Sequence, residues 1–168
     1  MTSHLTSNHI FNQPIHYSCA YGTASEVIKL LIEAFPESIY CTDDNGFTPL
    51  HYAMGNCERD ESPGAIAVLL SKVSQVSKDD ATGTIGRQEQ KHPLLVFADR
   101  TKTFKDISVK GLENAQSCLQ VYLRKKPVAS TNFFTALQSL PPWLEDHGMC
   151  IFVFLYCNEA KKKRDYLF

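Results

Sequence analysis

Asp43-Asp44-Asn45-Gly46-Phe47-Thr48-Pro49-Leu50-His51-Tyr52-Ala53 encodes a tight turn followed at once by the start of a helix. Asp and Asn side chains bond to nearby backbone and glycine accepts a positive φ, so residues 43–46 are turn chemistry. Thr48 stands where an N-cap hydroxyl is wanted, and Pro49 falls on the first helical position, where its missing N–H costs nothing.

The same words occur 35 residues earlier, as Pro14-Ile15-His16-Tyr17-Ser18-Cys19-Ala20-Tyr21-Gly22. Each copy leads into an apolar helix. After the first come Val27, Ile28, Leu30, Leu31 and Ala34 at helical spacing, with Thr23 and Glu26 as a predicted capping box. After the second come Ile66, Ala67, Leu69 and Leu70, opened by Ser62 and Pro63. Short helix, longer helix and turn, repeated at close to the roughly 33 residues of one known repeat class, predict a stacked array.

The Asp-x-x-Gly-x-Thr-Pro-Leu-His-x-Ala string from Asp43 to Ala53 resembles the signature of the ankyrin repeat. The ending Ala34-Phe35-Pro36-Glu37 resembles a variant common in large ankyrin-like families of diatoms and related algae. The fold class this implies is all-α: an ankyrin-type helical solenoid with short projecting loops and a degenerate C-terminal part. Each helix pair cannot bury its apolar face alone, so neighbours stack and leave one concave face.

The expected organisation is an N-terminal tail over 1–11 and an array over 12–148. Its repeats lie at about 12–38, 39–73 and 93–127, with a partial unit at 133–148 and a polar loop at 74–91. Ile39-Tyr40-Cys41 reads as a short β-type run entering a projecting loop. Cys57 to Glu61 reads as a polar insertion that loops outward, which costs little. In the third repeat Pro93-Leu94-Leu95 has leucine where the earlier copies have His, and the second helix is placed at Cys118 to Pro127. Residues 149–168 form an apolar run followed by the basic Lys161-Lys162-Lys163-Arg164.

The 168 residues are 43% apolar and carry a formal charge of −1, enough chain for a core and no overall field to draw in nucleic acid or an anionic membrane. The six cysteines contain no Cys-x-x-Cys pair and fit no common zinc spacing. Met149 to Cys157 is far short of the roughly 20 apolar residues that span a bilayer. The N-terminus lacks the basic start and apolar run of a signal peptide, which predicts an intracellular, cytoplasmic protein with the nucleus left open.

His16 and His51 occupy equivalent positions, which suits one structural task repeated; a catalytic residue would not need a copy in every unit. The resemblance implies a repeat motif of Pro14, His16, Gly46, Thr48, Pro49, Leu50 and His51, with hydrogen bonds among the Thr hydroxyl, the imidazole and loop backbone of the adjoining unit. His4, His9, His92 and His147 share no spacing and read as surface residues. The function implied is a protein–protein interaction module without catalytic activity. The motif leaves Asn12, Tyr21, Asp44, Asn45, Phe47 and Asn56 free for a protein partner on the concave face. No cofactor, metal, nucleic acid or small-molecule substrate is expected, and membrane contact is disfavoured. Alternatives are a membrane-associated or targeting protein acting through its C-terminal tail, a thiol hydrolase built on Cys19 or Cys57, and a piece of a longer array.

Overall fold

Proline sets the beginnings of the helices. In the structure, a computed structural model describing residues 13–76, 91–125 and 131–141, Pro14, Pro49 and Pro93 each hold the first position of a helix. The helices are α1 (Pro14–Tyr21), α2 (Ser25–Ala34), α3 (Pro49–Gly55), α4 (Ser62–Val76), α5 (Pro93–Lys102), α6 (Val109–Arg124) and α7 (Thr131–Gln138), with a 3-10 turn at Pro36–Ile39. Among the described residues there is no strand.

The helices stack in two layers. In one layer α1 packs on α3, α3 on α5 and α5 on α7; in the other α2 packs on α4 and α4 on α6. The arrangement is the all-α solenoid that the repeated words predict. The core lies between the layers: Ile15, Met54, Leu94 and Phe97 meet Ile28, Ile66, Leu69 and Leu119, all essentially fully buried. Such side chains contribute about 1.5–3 kcal/mol each by leaving water.

Equivalent positions are not equally covered. Leu30 and Leu69 are the same word in successive units, yet Leu30 is 64% exposed and Leu69 1%. The difference follows from stacking, since α2 lies over α4 and no described residue lies over α2 in the same way.

Several local expectations are corrected. Helix α2 begins at Ser25 with Ala24 at its N-cap, so the Thr23–Glu26 capping box is not made; Glu26 instead accepts from Ser25 Oγ (3.2 Å). The expected β-type run at Ile39-Tyr40-Cys41 is helical turn. Pro36 fixes φ for a 3-10 turn, Tyr40 N–H donates to the Glu37 carbonyl (3.0 Å), and Ile39 is drawn into the core. Helix α4 continues to Val76, past the expected loop boundary at Ser74.

The second helix of the third unit starts at Val109, nine residues before Cys118, where Ser108 Oγ accepts the Gly111 N–H (3.0 Å) as an N-cap. The residues just ahead of Cys118 are therefore helix. Helix α7 begins at Thr131, two residues ahead of the expected partial unit at 133–148; residues 142–148 of that unit and the tails at 1–11 and 149–168 lie outside the described residues.

The insertion at 57–61 does not loop away from the array. Cys57 is fully buried, and Ser62 Oγ donates to the Asn56 carbonyl (2.7 Å). Glu58 pairs with Arg100 and Asp60 with Lys110. Asn114 Nδ2 donates to the Glu58 carbonyl (3.1 Å) and to Asp60 Oδ1 (2.8 Å). In the other direction Arg59 Nη1 donates to the Tyr21 carbonyl (3.2 Å). The Arg59 stem lies against Gly22, whose φ of 71° ends α1 and where an added Cβ would meet Arg59 Cδ at 3.0 Å. Glu58, Arg59 and Asp60 of the polar insertion thus each reach a neighbouring unit.

Gly46 sits at φ 76°, and its N–H donates to the Asp43 carbonyl (3.0 Å). An L side chain is strained in that region by about 1–2 kcal/mol. Gly46→Ala is therefore expected to lower unfolding free energy by that amount in a urea titration, with the helical spectrum retained. An unchanged midpoint would show that the turn relaxes without cost.

Candidate functional site

The two repeated histidines perform the same bonding task. Thr48 N–H donates to His51 Nδ1 (3.0 Å), and Thr48 Oγ1 lies 2.8 Å from the same nitrogen. A backbone N–H can only donate, so Nδ1 must carry a lone pair and the ring proton sits on Nε2. From there it is given to the Lys91 carbonyl, at the entry to α5. In the first unit Gln13 N–H donates to His16 Nδ1 (3.1 Å) and His16 Nε2 donates to the Cys41 carbonyl (3.1 Å). Each imidazole ties the start of its own helix to the segment leading into the next.

Burial pushes the His51 pKa below its ordinary value, only partly opposed by the Lys91 carbonyl bond and the Asp43 charge. His92, expected on the surface, is half-buried at the N-cap of α5, where its Nδ1 accepts the Leu94 N–H (3.2 Å). Its ring meets Tyr122 and Phe133 edge-on at 6.2 and 5.7 Å. Burial, and then the neighbouring His51, lower its pKa as well. His92 precedes Pro93 as Thr48 precedes Pro49, a signal that was present in the sequence.

Asp43 organises the projecting turn. Its Oδ1 accepts the N–H groups of Asn45 (2.9 Å) and Phe47 (2.7 Å), and its Oδ2 accepts the Tyr52 hydroxyl (2.6 Å) and Asn45 Nδ2 (3.2 Å). Burial alone would raise its pKa, but these bonds together outweigh it and hold the carboxyl below the usual range. Burial, then the bond to Asp43 and the charge on it, pushes the Tyr52 phenol up to about 12.

The residues expected to be free for a partner divide. Tyr21 and Asp44 are exposed. Asn45 is exposed but its amide is bonded to Asp43. Phe47 is half-buried, stacked on His51 (5.3 Å between centroids, 4° between planes) with its ring edge-on to Tyr52. Asn56 Nδ2 donates to the Tyr52 carbonyl (2.9 Å) at the end of α3. Phe47 and Asn56 are thus held by the fold, and Asn12 lies outside the described residues.

The structure adds a cleft. His16, Tyr17, Ala20, Tyr21 and Tyr52 line a hollow of about 130 Å³ between α1 and α3. Tyr17 and Tyr21, one helical turn apart, stack at 6.3 Å with planes 7° apart while remaining 50% and 69% exposed. His16 meets Tyr52 edge-on at 5.8 Å. Small-molecule sites are typically about 300–1,000 Å³, so this hollow has room for a side chain rather than a metabolite. Sequence reasoning missed Tyr17 and Tyr52, although both follow the repeated histidine directly.

The four described cysteines are free. Burial pushes the thiols of Cys19 and Cys57 up to about 12 and raises those of Cys41 and Cys118. A nucleophilic thiolate needs the opposite shift. Among the described residues no group of three His, Cys, Asp or Glu side chains is placed to hold a metal, and no helix is long and apolar enough to cross a membrane.

Residues 3–80 match the family model for ankyrin repeats (3 copies). No curated protein and no solved structure matched the chain. The match covers α1 to α4, and the structure continues the stacking beyond it through α5, α6 and α7.

Proposed function

We propose, on the premise that residues 3–80 are ankyrin repeats, that this chain binds a protein partner through the face formed by α1 and α3. Ankyrin repeats generally mediate protein–protein interaction, and the family is typically non-catalytic. The observation that supports this face is the exposed Tyr17–Tyr21 stack beside the cleft, on a helix whose His16 is already committed to the fold. Paired tyrosines offer large contact area with little side-chain freedom to lose, which is the usual character of a binding anchor. Asp44, exposed on the turn whose Asp43 bonds Tyr52, adds an acidic charge to this unit. An adaptor or scaffold role in the cytoplasm or nucleus suits four unpaired thiols, which persist most readily in a reducing compartment.

The test is affinity capture with the full chain, followed by titration of the captured partner against the Tyr17→Ala/Tyr21→Ala double variant. Affinity is expected to fall at least about tenfold, the loss of roughly 1.4 kcal/mol. The urea midpoint should stay close to the parent's, because both rings are largely outside the core. Equal affinity in parent and variant would reject the face.

A further inference from the structure

The net charge of −1 conceals a gradient along the array. Residues 13–47 carry five carboxylates, Glu26, Glu33, Glu37, Asp43 and Asp44, against one base, Lys29, a net of −4. Residues 91–125 carry seven bases against three carboxylates, a net of +4. The tyrosine cleft lies at the acidic end.

The local chemistry agrees in sign with that field. Tyrosine ring faces carry negative electrostatic potential and attract cations. The Tyr52 hydroxyl donates to the Asp43 carboxylate, which draws the proton away from the ring oxygen and leaves the ring more electron-rich. Both His16 nitrogens are used within the fold, so that ring offers the cleft no free N–H donor. Lys29, the one base in residues 13–47, lies 3.7 Å from Glu26, and Arg59 bonds the Tyr21 carbonyl.

We propose that the cleft between α1 and α3 receives an arginine side chain from a basic segment of the partner, its guanidinium stacked on the Tyr17–Tyr21 pair beside the Asp43-bonded Tyr52, within the acidic stretch that includes Asp44. This rests on the reading that the α1–α3 face binds protein. Arginine fits better than lysine because its planar, weakly hydrated guanidinium stacks on an aromatic face, whereas an ammonium is a compact, strongly hydrated point charge. The acidic unit would also speed encounter with a basic segment in a salt-dependent way.

The test uses the full chain and a dye-labelled Gly-Ser peptide carrying alternating arginines, read by fluorescence anisotropy at low and physiological salt. Matched peptides replace arginine by lysine, glutamate or leucine. The arginine peptide is expected to bind, to weaken as salt rises, and to lose at least about tenfold with Tyr17→Ala/Tyr21→Ala. Asp44→Asn, a residue outside the hydrogen-bonded turn network, should weaken it about two- to threefold. The lysine peptide should bind less tightly and the glutamate peptide not at all through this cleft.

Equal binding of the lysine peptide would overturn the assignment to arginine. Tyrosine-dependent binding of the leucine peptide at equal or greater strength would overturn the cationic occupant while leaving the binding face intact. Absence of arginine-peptide binding, or binding indifferent to the tyrosines, would overturn the inference. The proposed function falls only if a captured partner also ignores the double variant.

Discussion

Asp43→Ala is expected to destabilise the protein by about 3 kcal/mol, read as the loss of unfolding free energy in urea at neutral pH. One carboxylate accepts two backbone N–H groups, one amide and one phenol, and is only 7% exposed. Hydrogen bonds to a charged acceptor contribute about 1.5–3 kcal/mol each when fully lost, and partial hydration of the turn offsets some of that. Asp43→Asn keeps an oxygen for the two N–H groups but supplies a donor where the Tyr52 hydroxyl donates, so about half the loss is expected. The pH signature is specific. The folded pKa is held below the unfolded value of about 3.9. The stability it contributes is therefore complete above that value and is lost as pH falls through the folded pKa. Asp43→Asn should remove that acid-side slope. An unchanged slope would place the stabilising carboxylate elsewhere.

His51→Ala should cost about 2–3 kcal/mol, through three lost contacts and a part-buried N–H and carbonyl left without these partners. Its titration runs opposite in character to that of a histidine gaining a carboxylate. Folded pKa values of His51 and His92 are lowered, so between about 6.5 and the folded values the unfolded chain holds more protons. Stability should thus be full above about pH 6.5 and decline as pH falls through that window. Protonation would place a proton on the very Nδ1 that accepts the Thr48 N–H. Urea midpoints at pH 7.5 and pH 5 measure the decline, and His51→Ala should remove its own share together with the part of the His92 shift that His51 causes, leaving the part due to burial. A parent protein equally stable at both values would refute the neutral-imidazole assignment.

What was legible in the sequence was what is settled within a few residues. Thr48, Pro49 and His51 fix a helix start and its cap without reference to the rest of the chain, and Pro14 and His16 repeat it. The start of α6 was overlooked although Leu112, Ala115 and Leu119 stand at helical spacing, because Gly111 in the first turn argues against a helix; the Ser108 cap and packing against α4 hold it there. Glu58 and Arg100 stand 42 residues apart, so their pairing arises only once α3 and α5 are stacked. Phe47 looked free because it stands at a position the repeated motif leaves open, but its ring is covered from within its own unit by His51 and Tyr52. The cleft was half legible. The paired His-Tyr words were visible, yet their convergence with Tyr21 needs the packing of α1 on α3.

Repeat arrays ordinarily behave as strings of interchangeable units, each touching only its immediate neighbours across a generic surface. The second unit here is keyed on both sides: Arg59 grips the end of the first, and Glu58 and Asp60 grip Arg100, Lys110 and Asn114 of the third. A tandem duplicate of the second unit would face these acids toward a copy of itself, which holds no counterpart of that Arg–Lys–Asn set. The order of the units is thereby written into side-chain chemistry, and a copied second unit would leave these pairs unmade at the new junction.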